Sequence, residues 1–444
     1  MLFGVPRLKR TLSAFFVSVL VGGGLVSCSN YNSSSNRQGR SGLKFRAFVS
    51  NPLNVSSSGV IPELDIVDAT KDVLSTAGVS LSGLLPDAGM MVLSPKKERT
   101  LVVSPLSDRV AVVDNATEAT SSAFSLPGPT DSLFVWTDDV SAFVAMPRAS
   151  ILGQPAGVVD RVDISSGANT AAIPVPGAHY LVPSPTGNQI LIFSDNSDSV
   201  TLLFPALLGT GGQTNTQVPC SAAPVAACTV SGFDKPVWGV FSADGSRAFI
   251  MNCGPECGGT AAGVAVLDMT QSPPVLASLT VPNPIPVAAA TIALLQGTNL
   301  YVAGTPQASS QNGCSTATIS TTICGRLTAV DTVAFTASAP VEITNGYHHK
   351  MAMGANGKLF IGAHTCTNVS GSSSCLTIAD TGSANAVSPP GNGDVTGIEP
   401  VPNRRVVYVC EGGALRIYDT TTDQLQTTQV NIVGQAIDVK VVDF

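Results

Sequence analysis

The 444-residue chain contains few charged residues, few aromatic residues and only two tryptophans, Trp136 and Trp238. Charged residues make up 12% of the sequence, which is too few for a long coiled coil, and a hydrophobic content of 44% is too high for a disordered chain. With 23 Lys and Arg against 30 Asp and Glu, the chain also lacks the positive surface that binds nucleic acid phosphates. We therefore expect a folded protein that does not bind nucleic acid.

The familiar catalytic motifs are also missing from the sequence. There is no Gly-x-Ser-x-Gly nucleophile elbow, no His-Glu-x-x-His zinc motif, no P-loop and no twelve-residue calcium loop. Cys253 and Cys257 have the spacing of a metal clip, but no second cysteine pair or histidine lies at finger-like spacing from them. We therefore predict no cofactor, no metal and no assigned catalytic residue, and the sequence leans against enzymatic activity without deciding the question.

The N-terminus combines a basic segment with a short apolar run. Three basic residues within 7–10 precede the apolar residues 11–26, a run shorter than the roughly 20 residues that span a bilayer. The next residues, Leu25-Val26-Ser27-Cys28, resemble the lipobox of bacterial lipoproteins. The resemblance implies that residues 1–27 are a signal peptide, that Cys28 carries several acyl chains such as palmitate, and that the protein is exported to the outer membrane. The alternative is a membrane anchor with an incidental cysteine.

The segment after the lipobox is polar and separates Cys28 from the rest of the chain. Residues 28–42 are rich in Ser, Asn and Gly and show no apolar period, so we expect a flexible tether with a reach of roughly 20 Å. No later stretch is long and apolar enough to cross a bilayer. We expect residues 43–444 to fold as a soluble body, held through Cys28 at the envelope membrane and facing either the periplasm or the cell surface.

A pattern of about fifty residues recurs along this body. Seven of its eight copies contain an apolar segment that ends in an aspartate. The eighth copy, residues 200–204, has the apolar segment without the aspartate. The seven aspartates are Asp68, Asp114, Asp163, Asp268, Asp331, Asp380 and Asp419. An aspartate side chain can accept a hydrogen bond from the backbone N–H two residues later and so start a tight turn. Another β-like run precedes each segment, and four short strands per repeat of this length are typical of a propeller blade. Two β-sandwiches are the alternative.

The most regular copy, Ser242-Ala243-Asp244-Gly245-Ser246 followed by the apolar residues 247–252, gives the repeat a family resemblance. It resembles the YVTN-type β-propeller repeat, and the likeness covers about residues 43–444. The resemblance implies an all-β propeller, and eight copies predict eight four-stranded blades, although seven are common in that family. The first copy begins at its second strand. We therefore expect the β-like residues 436–441 to supply the missing innermost strand and so close the ring without exposed edges.

Long insertions are predicted on one face of the propeller. If the strands are labelled a to d from the axis outward, the b–c loops and d–a crossings share one face, which we call the mouth face. The predicted insertions are the b–c loops 50–63, 147–158, 253–263, 304–325 and 363–375 and the d–a crossing 208–234. In an exported protein, the close cysteine pairs within them are typical of disulfides that stiffen polar loops: Cys220 with Cys228, Cys253 with Cys257, Cys314 with Cys324, and Cys366 with Cys375. Cys410 is left as a buried thiol.

Seven polar residues are predicted at the channel mouth on this face: Asp131, His179, Lys235, His348, His349, His364 and Asp394. Histidine can serve as a base or metal ligand near neutral pH, but ordinary polar residues around a wet channel explain the same pattern. We therefore favour a binding or scaffold protein that presents the mouth face to an envelope protein or glycan. The alternative is a hydrolase resembling the propeller lactonases, which requires His179, His348 and Asp131 to converge. A quinone-dependent dehydrogenase ranks last, because such propellers use repeated Trp packing motifs.

Overall fold

Almost every element in the computed structural model is a short β-strand. The structure describes residues 39–56, 59–81, 83–84, 87–104, 107–208, 218–220, 226–306, 325–366, 374–383, 385–391 and 393–443. Within these ranges the strands form eight sheets, each with an antiparallel core of four strands, and the sheets are the blades of a β-propeller. The prediction of an all-β propeller with eight blades is therefore confirmed, and the alternatives of seven blades or two sandwiches are excluded. The predicted signal peptide, Cys28 and residues 28–38 of the predicted tether lie outside the described residues, whereas Ser41, at the end of that segment, is held by Glu118.

The strands are numbered in chain order. Blade 1 contains β1 (Arg46–Ser56), β2 (Gly59–Asp68) and β3 (Val73–Ser80), and blade 2 contains β4 (Met91–Leu93), β5 (Arg99–Ser104), β6 (Arg109–Asp114) and β7 (Ala119–Ser125). Blade 3 contains β8 (Ser132–Val135), β9 (Ser141–Met146), β10 (Val158–Asp163) and β11 (Asn169–Pro174). Blade 4 contains β12 (Ala178–Pro183), β13 (Ile190–Ser194), β14 (Ser199–Leu203), β15 (Val218–Pro219) and β16 (Ala227–Ser231). Blade 5 contains β17 (Pro236–Phe241), β18 (Arg247–Asn252), β19 (Gly263–Asp268), β20 (Val275–Leu276) and β21 (Ile285–Pro286).

The remaining blades follow the same plan. Blade 6 contains β22 (Ile292–Gln296), β23 (Asn299–Gly304), β24 (Gly325–Asp331), β25 (Thr336–Ala337) and β26 (Val341–Ile343). Blade 7 contains β27 (Tyr347–Met353), β28 (Lys358–His364), β29 (Leu376–Asp380) and β30 (Ala386–Val387). Blade 8 contains β31 (Val395–Pro400), β32 (Val406–Glu411), β33 (Ala414–Asp419) and β34 (Gln424–Leu425), and β35 (Asp438–Val441) follows. The described helices are single 3-10 turns, Pro205–Leu207, Gly254–Cys257 and Ala355–Gly357, and none of them is long enough to span a membrane.

The recurring aspartate has the role that the repeat predicts. In seven blades the third strand ends at this residue, and in six of them its side chain accepts a hydrogen bond from the N–H two residues later. Asp331, for example, accepts from the N–H of Val333 at 2.7 Å. Asp114 instead accepts from the N–H of Thr117, three residues later. The aspartates therefore start the turns to the outermost strands, and several of these outer strands are only two residues long.

The C-terminal strand closes the ring as predicted. β35 pairs antiparallel with β1, with Ala47 opposite Val441 and Ser50 opposite Asp438, and becomes the innermost strand of blade 1. Arg46 also donates hydrogen bonds of 2.7 Å to both carboxylate oxygens of Asp443. The two ends of the propeller are therefore joined by a ladder, a buried core and an ion pair.

Eight clusters of buried side chains lie between successive blades. Each cluster contains residues from two neighbouring sheets. One of them completes the ring, because it packs blade 1 against blade 8 through Val439, Val441, Tyr408 and Ile417. Burial of apolar faces between sheets supplies the main stabilisation of such a fold. The inner strands are consequently held on rigid sheets around a central channel.

Two of the predicted insertions differ in the structure. The segment 50–63, predicted as a loop, is mostly strand, because β1 and β2 continue as a paired ribbon to Ser56 and Gly59. The segment 208–234, predicted as a d–a crossing, contains the fourth strand of its blade. β16 pairs antiparallel with β14, with Leu203 opposite Ala227, so the long insertion is a c–d connection. That prediction was wrong because the unpatterned polar segment hid the strand that follows it.

Candidate functional site

A cavity of about 500 Å³ occupies the channel where the innermost strands begin. Every blade contributes to its wall through residues in or next to its innermost strand, among them Met90, Ser132, Leu181, Trp238, Ile292, Lys350, Thr396 and Asp438. The starts of these strands pair with the ends of the second strands, as Tyr347 does with His364, so the cavity lies at the end from which the b–c loops emerge. The main cavity therefore lies at the mouth face.

β-Bulges set which side chains reach this cavity. The innermost strands of four blades each carry one extra residue near their start, and these residues are His179, Val237, His349 and Thr396. A bulge leaves one residue without a partner and turns neighbouring side chains away from strict alternation. Consecutive residues such as His349 and Lys350 can therefore line the same cavity. In this way the bulges concentrate polar and aromatic groups at the mouth.

His179 lies between two carboxylates at the rim. Its Nδ1 is 2.7 Å from Oδ1 of Asp195, and its Nε2 is 3.6 Å from Oδ2 of Asp131. Burial opposes the protonated form of His179, but the hydrogen bonds to Asp131 and Asp195 outweigh it and raise the pKa of the imidazole. The same contact lowers the pKa of Asp131. The three groups form a hydrogen-bonded ion cluster, with Asp131 in the main cavity and His179 in a smaller adjoining one of about 210 Å³.

Aromatic side chains line the passage between the two cavities. Tyr180 and Tyr347 border both, and Trp238 contacts Tyr180 edge-on with 5.9 Å between ring centroids. The ring of Tyr180 also stacks on that of His179 at 4.2 Å. Burial raises the pKa of both tyrosines, so their hydroxyls remain protonated and can donate hydrogen bonds. These rings offer flat apolar surfaces beside polar groups, which suits a ligand with one apolar face and several hydroxyl groups.

Three further histidines belong to blade 7. His348 is fully buried, and neither of its ring nitrogens has hydrogen-bond geometry with another described group. Burial lowers the pKa of His348 and of His349 to about 4, so both rings are neutral near pH 7. The ring of His349 meets that of His364 at 4.8 Å, and Nδ1 of His349 lies 3.3 Å from the carbonyl oxygen of Tyr347. Since a carbonyl only accepts, that nitrogen carries the proton and Nε2 of His349 is free to accept.

Lys350 is the cation inside the main cavity. It follows the bulge at His349 and keeps some exposed surface because it faces the cavity. Burial lowers its pKa. Among the described residues no carboxylate lies within ion-pair distance of its ammonium group and no hydrogen bond joins it. The carboxylates of Asp131 and Asp438, which also line the cavity, are held by other partners.

Lys235 and Asp394 complete the predicted set but do not enter the main cavity. Lys235 borders the smaller cavity, where Nζ forms an ion pair of 2.9 Å with Oδ1 of Asp198. Oδ1 of Asp394 accepts a hydrogen bond from the N–H of Thr365 at 2.8 Å, which fixes the turn after β28. The structure therefore gathers Asp131, His348, His349 and His364 around the main cavity, with His179 and Lys235 in the adjoining one. Asp394 supports a neighbouring loop.

The disulfides brace two of the loops at this face. Cys253 with Cys257 and Cys366 with Cys375 are bonded within b–c loops, and Cys257 borders the smaller cavity. Cys220 is bonded to Cys228 of β16, so this pair joins the c–d connection of blade 4 to the outer strand of that blade, away from the b–c loops of the mouth face. The expectation that every bridged insertion shares the mouth face is therefore wrong. Cys314 and Cys324 lie outside the described residues, and Cys410 is a buried free thiol, as predicted.

Glu256 lies inside the first of these bridged loops and was missed by the sequence analysis. Its Oε2 accepts a hydrogen bond of 2.8 Å from the N–H of Thr305, so it ties the loop of blade 5 to blade 6. Burial raises the pKa of Glu256 to about 8. The available signal was an isolated acid enclosed by the Cys253–Cys257 pair. For Lys350 the signal was the run of four polar residues, Tyr347 to Lys350, which breaks the alternation of a half-buried strand.

The described residues contain no group of three or more His, Cys, Asp or Glu side chains with the geometry of a metal site. No protein-family model matches the sequence, and no curated protein matches it. The YVTN-type resemblance therefore stays a prediction.

Solved structures share the architecture. The structure of NirN, a dihydro-heme d1 dehydrogenase in complex with DHE, is similar with a TM-score of 0.60 and 14% identity, over 90% of this chain and 75% of that one. The Dos1 propeller is similar with a TM-score of 0.56 and 10% identity, over 79% of this chain and 85% of that one. Hydrazine synthase from Kuenenia stuttgartiensis is similar with a TM-score of 0.50 and 14% identity, over 79% of this chain and 99% of that one. Such low identities show the fold alone, and with the eight sheets they establish this chain as an eight-bladed β-propeller.

Proposed function

We propose that this protein is a lipid-anchored binding protein of the bacterial cell envelope, and that its mouth face binds a glycan. The observation that carries the proposal is the cavity of about 500 Å³, where Tyr180, Trp238 and Tyr347 meet hydroxyl, imidazole and carboxylate groups. A sugar ring has an apolar face that packs on aromatic rings and hydroxyls that need both donors and acceptors. This wall offers both kinds of group.

The concave shape favours a glycan over an envelope protein, the other class of partner that the sequence predicts. Specific protein interfaces bury about 800 Å² on each partner, mostly over broad surfaces. A cavity of this size instead falls within the range of small-ligand sites, about 300–1,000 Å³, in which the ligand is largely enclosed. One end or one branch of a saccharide chain therefore suits the mouth better than a folded protein surface does.

The membrane attachment rests on the N-terminal sequence. The lipobox-like residues Leu25-Val26-Ser27-Cys28 support multiple acylation of Cys28, and two or more acyl chains hold a protein stably at a bilayer. The polar residues 28–42 would then allow the propeller to reach a polymer some distance from the membrane. A binding site on a tethered, rigid scaffold suits a polymer that is fixed in the same envelope.

A hydrolase resembling the propeller lactonases is the second candidate, and the cluster around His179 favours it. His179 and Asp131 meet at the rim, as that hypothesis requires, but the third group does not join them, because His348 is fully buried. The raised pKa of His179 also leaves less of the imidazole in the neutral form that a general base requires near neutral pH. Binding without chemistry therefore has the stronger support.

Co-sedimentation with purified envelope polysaccharide tests the proposal. We expect the wild-type protein to sediment with the polymer, and Trp238→Leu to lose at least tenfold in affinity because Trp238 lines the cavity. Trp136→Phe is the matched control, since Trp136 packs in the core between blades 3 and 4. Equal sedimentation of the Trp238→Leu and Trp136→Phe variants, or none by the wild type, would contradict a glycan site at the mouth.

A further inference from the structure

Lys350 differs from two other lysines of the propeller, Lys440 and Lys235, in having no ion-pair contact with a described carboxylate. Lys440, on β35, lies 3.4 Å from Oδ1 of Asp438 and 3.8 Å from Oε2 of Glu399. Lys235, at the rim, forms an ion pair with Asp198. Lys350 faces the same channel, yet no hydrogen bond or ion pair joins its ammonium group to another described residue.

The acidic groups of the cavity are already engaged. Asp438 accepts hydrogen bonds from the N–H groups of Met91 and Val439, at 2.9 and 2.8 Å, and also contacts Lys440. Asp131 is held by His179. Neither carboxylate forms an ion pair with Lys350, although the negative charges of both favour its protonated form against the effect of burial. The cavity wall therefore presents one ammonium group that makes no ion-pair contact, beside His349, which is neutral because burial lowers its pKa to about 4.

An ammonium group that is withdrawn from water without a partner costs folding free energy. A methionine of similar length would fill the same space without this cost, and a ligand that brings a negative charge into the cavity would offset it for the lysine. The groups around it restrict what that ligand can be. Nε2 of His349 offers an acceptor, and the rings of Trp238 and Tyr347 offer flat surfaces. The hydroxyls of Ser132 and Thr396 also lie in the wall, where they bond the backbone of Leu181 and Cys410.

We propose that Lys350 binds the carboxylate of an acidic sugar, a hexuronate unit of the glycan that enters the mouth. The inference rests on the proposed function and adds the chemical class of its ligand. The ammonium pairs with the carboxylate in a partly dehydrated site, where such charge-assisted bonds are stronger than neutral ones. The ring hydroxyls bind the polar wall and the apolar face of the ring packs on the aromatic side chains. A flat aromatic acid would leave the acceptor Nε2 of His349 without a donor.

Calorimetry with small probes tests the inference on the full chain. The probes are glucuronate, neutral glucose and benzoate, and the variants are Lys350→Met and Lys350→Arg. Lys71→Met is the control, because it also removes one positive charge, but from an exposed lysine beside Asp68 that borders neither cavity. We expect the wild type to bind glucuronate at least tenfold more tightly than glucose or benzoate. Lys350→Met should lose at least tenfold for glucuronate and little for glucose, Lys350→Arg should retain part of the preference, and Lys71→Met should retain it.

The other outcomes separate the two proposals. Equal binding of glucuronate and glucose that Lys350→Met leaves unchanged would overturn the inference but leave a glycan site in place. Benzoate binding as tightly as glucuronate would overturn the choice of a sugar acid. No binding of either sugar would overturn the inference and the proposed function together. Thermal melting checks the premise: Lys350→Met should melt at a higher temperature than the wild type, and a lower melting temperature would overturn the inference by revealing a structural role for the ammonium group.

Discussion

Deletion of residues 435–444 should remove most of the stability of the propeller, because these residues close the ring. β35 supplies the innermost strand of blade 1 and buries Val439 and Val441 completely and Val442 almost completely. Burying a valine side chain is worth about 1.5–3 kcal/mol, so the three contribute about 5–9 kcal/mol. A whole domain is stable by only about 5–15 kcal/mol, so the loss is comparable with the total. Deletion also removes the ion pair between Arg46 and Asp443.

Urea unfolding followed by circular dichroism measures the effect. We expect the truncated protein to unfold at a much lower urea concentration and to aggregate, because β1 becomes an exposed edge strand. Val441→Ala should give a graded loss of about 2 kcal/mol, which corresponds to the removal of two buried carbon groups. Val333→Ala is the control, since the side chain of Val333 is 68% exposed, and it should leave the midpoint unchanged. A truncated protein with the wild-type midpoint would refute ring closure as a source of stability.

Three further predictions concern the rim and the anchor. Contacts with Asp131 and Asp195 raise the pKa of His179. The stability that these contacts contribute is therefore present below about pH 6.5, and it is lost as the pH rises through the folded-state pKa. In urea titrations, His179→Gln should consequently destabilise the protein more at pH 6 than at pH 9. Burial raises the pKa of Glu256 to about 8, so the wild type should lose stability relative to Glu256→Gln between about pH 5 and pH 9, and parallel pH profiles of the two proteins would contradict this assignment. Cys28→Ala should move the protein from the membrane fraction to the soluble fraction of lysed cells, whereas unchanged fractionation would argue against lipidation at Cys28.

The fold was largely predictable because each blade repeats the same local physical solution. An apolar strand, an aspartate that accepts a backbone hydrogen bond and a short outer strand recur at a spacing of about fifty residues, so errors in one copy are corrected by the others. Blade 4 shows where this fails. Its third strand ends at Leu203 without the aspartate, and the long insertion that follows carries no pattern that distinguishes a c–d connection from a d–a crossing. The cysteine pair in that insertion was consequently placed on the wrong face.

The candidate site was only partly predictable, because it depends on which strand residues turn toward the channel. The histidines and Asp131 could be located from strand phase, since residues at the start of innermost strands must lie near the axis. The contact between His179 and Asp195 joins the start of β12 to the turn after β13, and no sequence spacing in a single repeat specifies that distance. Glu256 likewise acts through Thr305 of the next blade. Such contacts between strands and between blades are products of packing, which the repeat alone does not describe.

The bulges explain why the most informative residue was overlooked. With strict alternation, His348 and Lys350 would share one side of β27 and His349 would point to the other. The extra residue at His349 breaks this relation: His348 borders the cavity but is fully buried, while the next two residues, His349 and Lys350, both line it and keep exposed surface. Register shifts also occur between the outer strands of blades 1, 2 and 3, so a bulge alone does not mark a site. Four bulges at equivalent places, all bordering one channel mouth, have the particular effect that consecutive side chains such as His349 and Lys350 reach the same cavity.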